Sequence, residues 1–268
     1  MIYEQYVGFL LAASSPIKSQ KIYEKQDFYG LFTNTFYETI SKGLACLMRA
    51  KGDYMILQVP VARYIPTNAY FYIDEDTKHG FLIDPGAEPD KLLEIVKERG
   101  FTLEKILLTH GHFDHIGAVN DLQRVLKIPV LMQENGQSYA EDPVWNLSAQ
   151  TDEPITLEDV TYLEDNTDIV LQANPDFRLH MIPVPGHTTD GCMYYNLRDR
   201  VAFVGDSIFA GSYGRTDMPG GDTETLMKSI VREIFSLPDS TALLSGHSGA
   251  TTVAAEKVQV WYQGISAK

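Results

Sequence analysis

Four side chains able to hold a metal ion fall within one short run, Thr109-His-Gly-His-Phe-Asp-His-Ile-Gly117: His110, His112, Asp114 and His115. Neutral imidazole together with carboxylate is a donor set for zinc, manganese or iron. In extended backbone His110 and His112 point the same way, because side chains there alternate with a period of two. Asp114 and His115 fall where the loop turns into a helix, so they can face a second centre beside the first. A polar loop that merely happens to be rich in histidine would seldom collect this many donors so close together.

The elements around the run say how it is held. The strand-like Lys105-Ile-Leu-Leu-Thr109 precedes it and a helix-like stretch, Ile116 to Leu126, follows, which puts the donors on a strand-to-helix loop. Three later strands end in a related way. Phe177–Val184 runs into Pro185-Gly186-His187, Val201–Val204 into Gly205-Asp206, and Ala242–Ser245 into Gly246-His247. Glycine lets the backbone turn sharply, and the donor then projects at the sheet end, where α/β enzymes gather their chemistry. His187, Asp206 and His247 are therefore read as parts of one site with Thr109–Gly117. His79, in a hairpin loop, and His180, alternating with apolar neighbours in a strand, are left outside it.

The pattern H-x-H-x-D-H resembles the signature of the metallo-β-lactamase superfamily, and His187, Asp206 and His247 stand in the order in which that family uses a His, a bridging Asp and a last His. The resemblance runs from about Ile56 onward. It implies an α/β chain with the four-layer αββα metallo-β-lactamase fold, two mixed sheets flanked by helices. It also implies two divalent metals, zinc first, with iron or manganese as alternatives. One would take His110, His112 and His187, the other Asp114, His115 and His247. Asp206 would bridge them, since a carboxylate has two oxygens to share. Asp114 and Asp206 are the expected catalytic carboxylates. Asp84, ahead of Pro85-Gly86, matches a family Asp behind the metal site. It either bonds an imidazole or the ligand loop, or is simply the turn residue that Pro-Gly favours.

Between two metals a water loses its proton near neutral pH. The expected reaction is attack of that metal-bound hydroxide on the carbonyl of a thioester or related ester. A thiol, with a pKa of about 8.5, leaves readily as thiolate. Gly205-Asp-Ser-Ile-Phe-Ala-Gly-Ser-Tyr-Gly-Arg-Thr-Asp217 resembles the G-D-x-L-F-x-G-x-x-G-R stretch of glyoxalase II (hydroxyacylglutathione hydrolase). Arg215 matches a basic position that helps hold the thiol end there, and it suits an anionic substrate. The alternative is that it clamps Asp217 within the loop. Tyr213 and Tyr194 are further candidates for binding substrate. Because G-R-T-D also resembles persulfide dioxygenases, an iron-dependent glutathione persulfide dioxygenase using only His110, His187 and Asp206 is the competing reading. Gly249 stands where glyoxalase II has a tyrosine, and little of that enzyme's C-terminal helical domain is matched. The chain thus resembles the shortened, single-domain glyoxalase II-like hydrolases.

A net charge of −14 repels phosphate backbones and argues against nucleic-acid partners and nuclease chemistry. Cys46 and Cys192 form no C-x-x-C, which fits a reducing compartment without a zinc knuckle or redox pair. The apolar run Val7–Ala13 is short and follows Glu4 with no Lys or Arg, a poor signal peptide. No stretch reaches transmembrane length, so a cytoplasmic protein without membrane contact is expected. Residues 1–52 are rich in aromatics, and from Tyr29 to Arg49 apolar residues (Leu31, Phe32, Phe36, Ile40, Leu44, Leu47) recur at helical spacing. The spacing predicts an N-terminal helical extension packed on a catalytic domain at 53–268, or at a homodimer interface. Within Asp142–Ser148, Trp145 and Leu147 are expected either to wall the site or to pack on the body.

Overall fold

The computed structural model describes Lys21–Ile22 (β1), Asn34–Ile40 (β2) and Gly43–Arg49 (β3), and then residues 54–259. With Tyr54–Ala62 (β4), Pro66–Asp74 (β5), His79–Ile83 (β6), Thr102–Leu107 (β7), Val130–Gln133 (β8) and Val160–Leu163 (β9), the first three strands form a sheet in sequential order. Pairing is antiparallel as far as β6 and parallel from β6 to β9. Parallel neighbours need crossovers. These are Pro89–Arg99 (α1), then Phe113–Ile116 (α2) with Val119–Leu126 (α3), then the long segment containing Gln137–Glu141 (α4).

The second sheet has the order β10-β11-β12-β13-β16-β17. Its strands are Asp168–Val170 (β10), Arg178–Pro183 (β11), Cys192–Asn196 (β12), Val201–Gly205 (β13), Ala242–Ser245 (β16) and Thr251–Thr252 (β17). A small hairpin, Ile208–Phe209 (β14) with Ser212–Tyr213 (β15), and the helix Thr223–Ser229 (α5) connect β13 to its parallel neighbour β16. Val253–Lys257 (α6) follows β17.

Period-two alternation assigns each side chain to a layer. On β5, Tyr70 and Tyr72 face the second sheet, while Ala69, Phe71 and Ile73 face α1 and α3. On β12 and β13, Tyr194 and Phe203 join Tyr70 and Tyr72 between the sheets, while Met193 and Val204 turn to Leu226, Ile230 and Ile234 on the outer face. Strands buried on both faces read as near-continuous apolar runs, as Asn68-Ala-Tyr-Phe-Tyr-Ile73 does. Full burial of each such aromatic contributes roughly 1.5–3 kcal/mol. The αββα architecture with two mixed sheets is the one expected from the sequence.

The helical reading of Tyr29–Arg49 is corrected. Asn34–Ile40 pairs antiparallel with Gly43–Arg49, and Gly43–Arg49 pairs with β4, Cys46 opposite Gln58 and Arg49 opposite Met55. Phe36, Ile40 and Leu44 are spaced by four, a multiple of both the strand period and, nearly, the helical one. Thr35, Phe36, Tyr37, Thr39 and Ile40 are β-branched or aromatic, which favours the strand. The segment joins β4 through a ladder and not as a helical layer. The rest of residues 1–52 lies outside the described residues. The helix-like run from Ile116 is split at Gly117-Ala118 into α2 and α3.

Candidate metal centre

The seven predicted donors converge. His110, His112 and His187 form one group whose ligating atoms lie within 4.8 Å of one another, and Asp114, His115 and His247 form another. His110 Nε2 lies 3.2 Å from His112 Nδ1, and His187 Nε2 lies 3.0 Å from that same atom. Asp206 stands between the groups, 3.4 Å from His115 Nε2, 3.1 Å from His247 Nε2 and 3.7 Å from His187 Nε2. His79 and His180 lie elsewhere, against Glu104 and Asp168.

Four of the imidazoles are held from behind at Nδ1, which fixes the ring and turns Nε2 toward the centre. His115 Nδ1 meets Asp84 Oδ2 at 3.0 Å. His187 Nδ1 donates to the Arg215 carbonyl at 2.6 Å and His247 Nδ1 to the Pro66 carbonyl at 2.8 Å. His110 Nδ1 lies 3.2 Å from Thr109 Oγ1. Asp84 does more than close its turn. Its carboxylate also accepts from the Thr109 amide at 2.8 Å and from the Thr109 hydroxyl at 2.6 Å, so it fixes the start of the donor loop. Both readings of Asp84 hold, since its φ of 50° is left-handed as well.

The strand-to-glycine turns have a measurable cause. A Cβ on Gly246 would sit 2.4 Å from Asp206 Oδ1 and 2.5 Å from His115 Cε1, so a side chain there would occupy the centre itself. Gly205 has φ 49°, and its Cβ would strike Thr109 Oγ1 at 2.3 Å. The sheets are locked together at this end. The Asn68 amide donates to the Gly246 carbonyl at 2.8 Å, the Tyr70 hydroxyl to the Ser245 carbonyl at 2.8 Å, and the Cys192 amide to the Thr109 carbonyl at 2.9 Å.

The two groups differ electrically. Burial drives His110 well below the usual histidine range, His112 down to about 3, and His187 lower as well, so all three are neutral with free lone pairs. Burial opposes protonation of His115 and His247 too. There, however, Asp206 and Asp114, and for His115 also Asp84, outweigh it: His115 stands well above its ordinary value and His247 at about 10. Asp114 and Asp206 are lowered by His115 in spite of their own burial. A cation fits this arrangement on direct grounds. His112 Nε2 is buried without a hydrogen-bond partner, and His115 Nε2 and Asp206 Oδ1 meet only as an ion pair at 3.4 Å without a formed hydrogen bond; a buried group left unsatisfied costs about 1–3 kcal/mol.

The three candidates for substrate contact separate. Tyr213 and Arg215 line a cavity of about 600 Å³ over the donors. Arg215 Nε and Nη2 are forked onto the two oxygens of Asp217, each at 2.7 Å, which is the clamp geometry. Tyr194 is corrected: it is fully buried between the sheets, where its hydroxyl donates to the Leu108 carbonyl at 2.8 Å. Its position on β12 places it on the inner face, away from the cavity. Tyr194→Phe is expected to cost about 1–2 kcal/mol of stability by leaving that buried carbonyl only the weak Cys192 thiol contact at 3.6 Å, with KM and metal content unchanged; thermal melts and steady-state kinetics read both. Leu147 lines the cavity, whereas Trp145 packs edge-on against Tyr139.

Sequence reading missed Thr67, whose hydroxyl donates to Asp114 Oδ2 at 3.0 Å, and Asp190. Asp190 is wholly buried behind the donor loop, near the Thr188 hydroxyl and the Gly111 amide but in good hydrogen-bond geometry with neither. Its only signal was an acidic residue in an otherwise small and apolar run. Burial pushes its carboxyl up to about 7. An acid raised in the folded state carries no penalty where both states are protonated; the penalty grows from about pH 4 and is complete above about pH 7, at roughly 4 kcal/mol. Asp190→Asn is therefore expected to stabilise the chelated protein at least twice as much at pH 8 as at pH 5. Chelation matters because metal charge would pull the carboxyl pKa down. Equal gains at both pH values in denaturant titrations would contradict this.

Fold and site together define the class. The chain belongs to the metallo-β-lactamase superfamily, which it matches over residues 63–247, a span containing all seven donors. This is a metallo-hydrolase superfamily that binds divalent metals. YqgX of Bacillus subtilis (strain 168), a probable metallo-hydrolase, is 37% identical over 196 residues, which cover 73% of this chain and 91% of YqgX. The hydroxyacylglutathione hydrolase GloC of Haemophilus influenzae is 31% identical over 186 residues, 68% of this chain and 86% of GloC. Among solved structures, BLEG-1 B3 metallo-β-lactamase aligns with a TM-score of 0.72 at 36% identity, covering 77% of this chain and 99% of that one. TTHA1623 in a di-iron-bound form aligns with a TM-score of 0.63 at 32% identity, covering 76% and 99%. No helix among the described residues is long and apolar enough to cross a membrane.

Proposed function

We infer that this protein is a hydrolase of thioesters or related esters working with two divalent metals. The observation that carries the reading is the pair of donor groups sharing Asp206 at the floor of one cavity. His110, His112 and His187 would hold one ion, Asp114, His115 and His247 the other, and Asp206 both. Bound there, paired metals supply a water deprotonated near neutral pH and a Lewis acid for the carbonyl oxygen. Zinc is the first expectation from the donor set; the di-iron form of TTHA1623 supports iron as the alternative.

The protein's own residues do the rest. Asp84, Arg215 through its carbonyl, and Pro66 through its carbonyl fix the imidazoles of His115, His187 and His247. The neutral first group needs no proton removed before it binds metal, whereas the second must release protons from His115 and His247. Ester chemistry is supported by the likeness to GloC and by the lack of any need for a protein nucleophile. A persulfide dioxygenase would leave Asp114, His115 and His247 without a role. That group is instead as well held as the first, with Thr67 on Asp114 and Asp84 on His115.

The test is hydrolysis of a panel of thioesters, oxygen esters and lactones before and after chelation and after metal is restored. Hydrolysis lost on chelation and recovered with metal supports the reading. Oxygen uptake with a persulfide, and no ester turnover, would overturn it.

A further inference from the structure

The cavity over the donors has a charged floor and apolar walls. The walls are Tyr64 and Ile65, at the tip of the β4–β5 hairpin, with Phe113, Leu147, Phe209 and Met218. Tyr64 and Ile65 are 45% and 44% exposed, two large apolar side chains in succession at the mouth. A cluster of apolar side chains left open beside a reactive centre marks a contact surface.

Leu147 is the more telling wall. Its φ of 68° puts a branched residue in the left-handed region, which L side chains rarely adopt. Strain of this kind persists where surrounding structure over-determines it, and it clusters at ligand clamps. Here Asn146 does the determining. Its side-chain amide donates to the carbonyls of Tyr139 at 2.8 Å and Ile155 at 2.9 Å, and its Oδ1 accepts from the Ser148 amide at 3.0 Å. Its own carbonyl accepts from the Phe113 amide at 2.9 Å, which ties this loop to the donor loop. Leu147 is thus held rigidly at the edge of the metal centre.

Positive charge for a substrate is scarce at the same place. Arg215 is the single Lys or Arg among the lining residues, and Asp217 takes both arms of its fork. Arg63, beside the mouth, is ion-paired with Glu153 and lies over the Tyr64 ring at 5.3 Å. The chain as a whole carries −14. Away from the metals at the floor, a substrate tail bearing carboxylates would meet no unengaged lining Lys or Arg, and the chain's net charge opposes it.

Resting on the hydrolase reading above, we propose that the site takes an uncharged ester or thioester with an apolar acyl group, and that Leu147 and Ile65 determine this preference. In the reaction water adds to the carbonyl carbon, the C–S or C–O bond breaks, and a carboxylic acid and a thiol or alcohol are released. The anionic substrate suggested by Arg215 in the sequence is replaced by one that its clamp with Asp217 does not need to hold.

The experiment uses the metal-loaded protein and acetyl, butanoyl and hexanoyl thioesters of N-acetylcysteamine, an uncharged thiol, together with the hexanoyl thioester of glutathione. The expected kcat/KM rises at least about tenfold from acetyl to hexanoyl, a modest demand for added methylenes in an apolar pocket. The neutral hexanoyl thioester is preferred over the glutathione one. Leu147→Ser flattens the rise while metal content is kept; Ile65→Ser, at the exposed hairpin tip, does the same should the first variant fold poorly. Arg215→Ala leaves the ratio of the two hexanoyl thioesters unchanged. A flat acyl series, or a glutathione thioester used as well or better, overturns the proposal while leaving the hydrolase reading standing. Turnover of no ester or thioester at all sinks both.

Discussion

Asp206→Ala is expected to lose at least one metal per chain and to reduce turnover by at least about a thousandfold, because activation of the attacking water depends on the metal site. The reasoning is positional. Asp206 is nearly buried and is the carboxylate that reaches His115, His187 and His247 together, so both donor groups depend on it. It also offsets the positive charge gathered on His115 and His247. The fold should survive, since Asp206 stands at the end of β13 and the inter-sheet core is built from Tyr70, Tyr72 and Phe203. Circular dichroism and metal analysis on the same sample separate loss of site from loss of structure. Wild-type turnover with a full metal complement would contradict the shared-carboxylate account.

Asp84→Ala should act on the site from behind. The substitution orphans His115 Nδ1, the Thr109 amide and the Thr109 hydroxyl together, all of them buried. Loss of such a supporting carboxylate lowers metal affinity by about 10–100-fold. Alanine at a φ of 50° adds strain, so stability should fall as well. Asp84→Asn separates these effects, because asparagine tolerates the left-handed region while losing the charge. Affinity is expected to fall in both variants, and stability mainly in the alanine one. An unchanged metal affinity in both would mean that the contacts with His115 and Thr109 carry nothing.

Much of the site was legible because its chemistry is local in sequence. His110, His112, Asp114 and His115 share one loop, and His187, Asp206 and His247 each follow a strand and a glycine. The packing of Asp206 and His115 against Gly246 shows why that glycine is required. The layers were less legible: a run buried on both faces, as on β5, does not say in the sequence which side chains meet the second sheet and which the helices. The N-terminal strands were not, because Phe36, Ile40 and Leu44 fit two periods at once, although their pairing is a sequential meander with Ile40 opposite Gly43 and Arg49 opposite Met55. Tyr194 was misplaced for a related reason: proximity in sequence to His187 does not say which face of β12 a residue occupies. Thr67 and Pro66 escaped notice because a hydroxyl and a backbone carbonyl leave no donor pattern. Asp190 escaped because only tertiary packing buries it.

The central claim is that one site holds two metals. Metal content per chain, measured by mass spectrometry alongside hydrolytic activity as chelated protein is titrated with zinc or iron, tests it most directly. Two ions per chain at full activity are predicted, with proton release accompanying occupancy of the Asp114–His115–His247 group, whose histidines start protonated. Full hydrolytic activity at one ion per chain, with no further ion taken up, would contradict it.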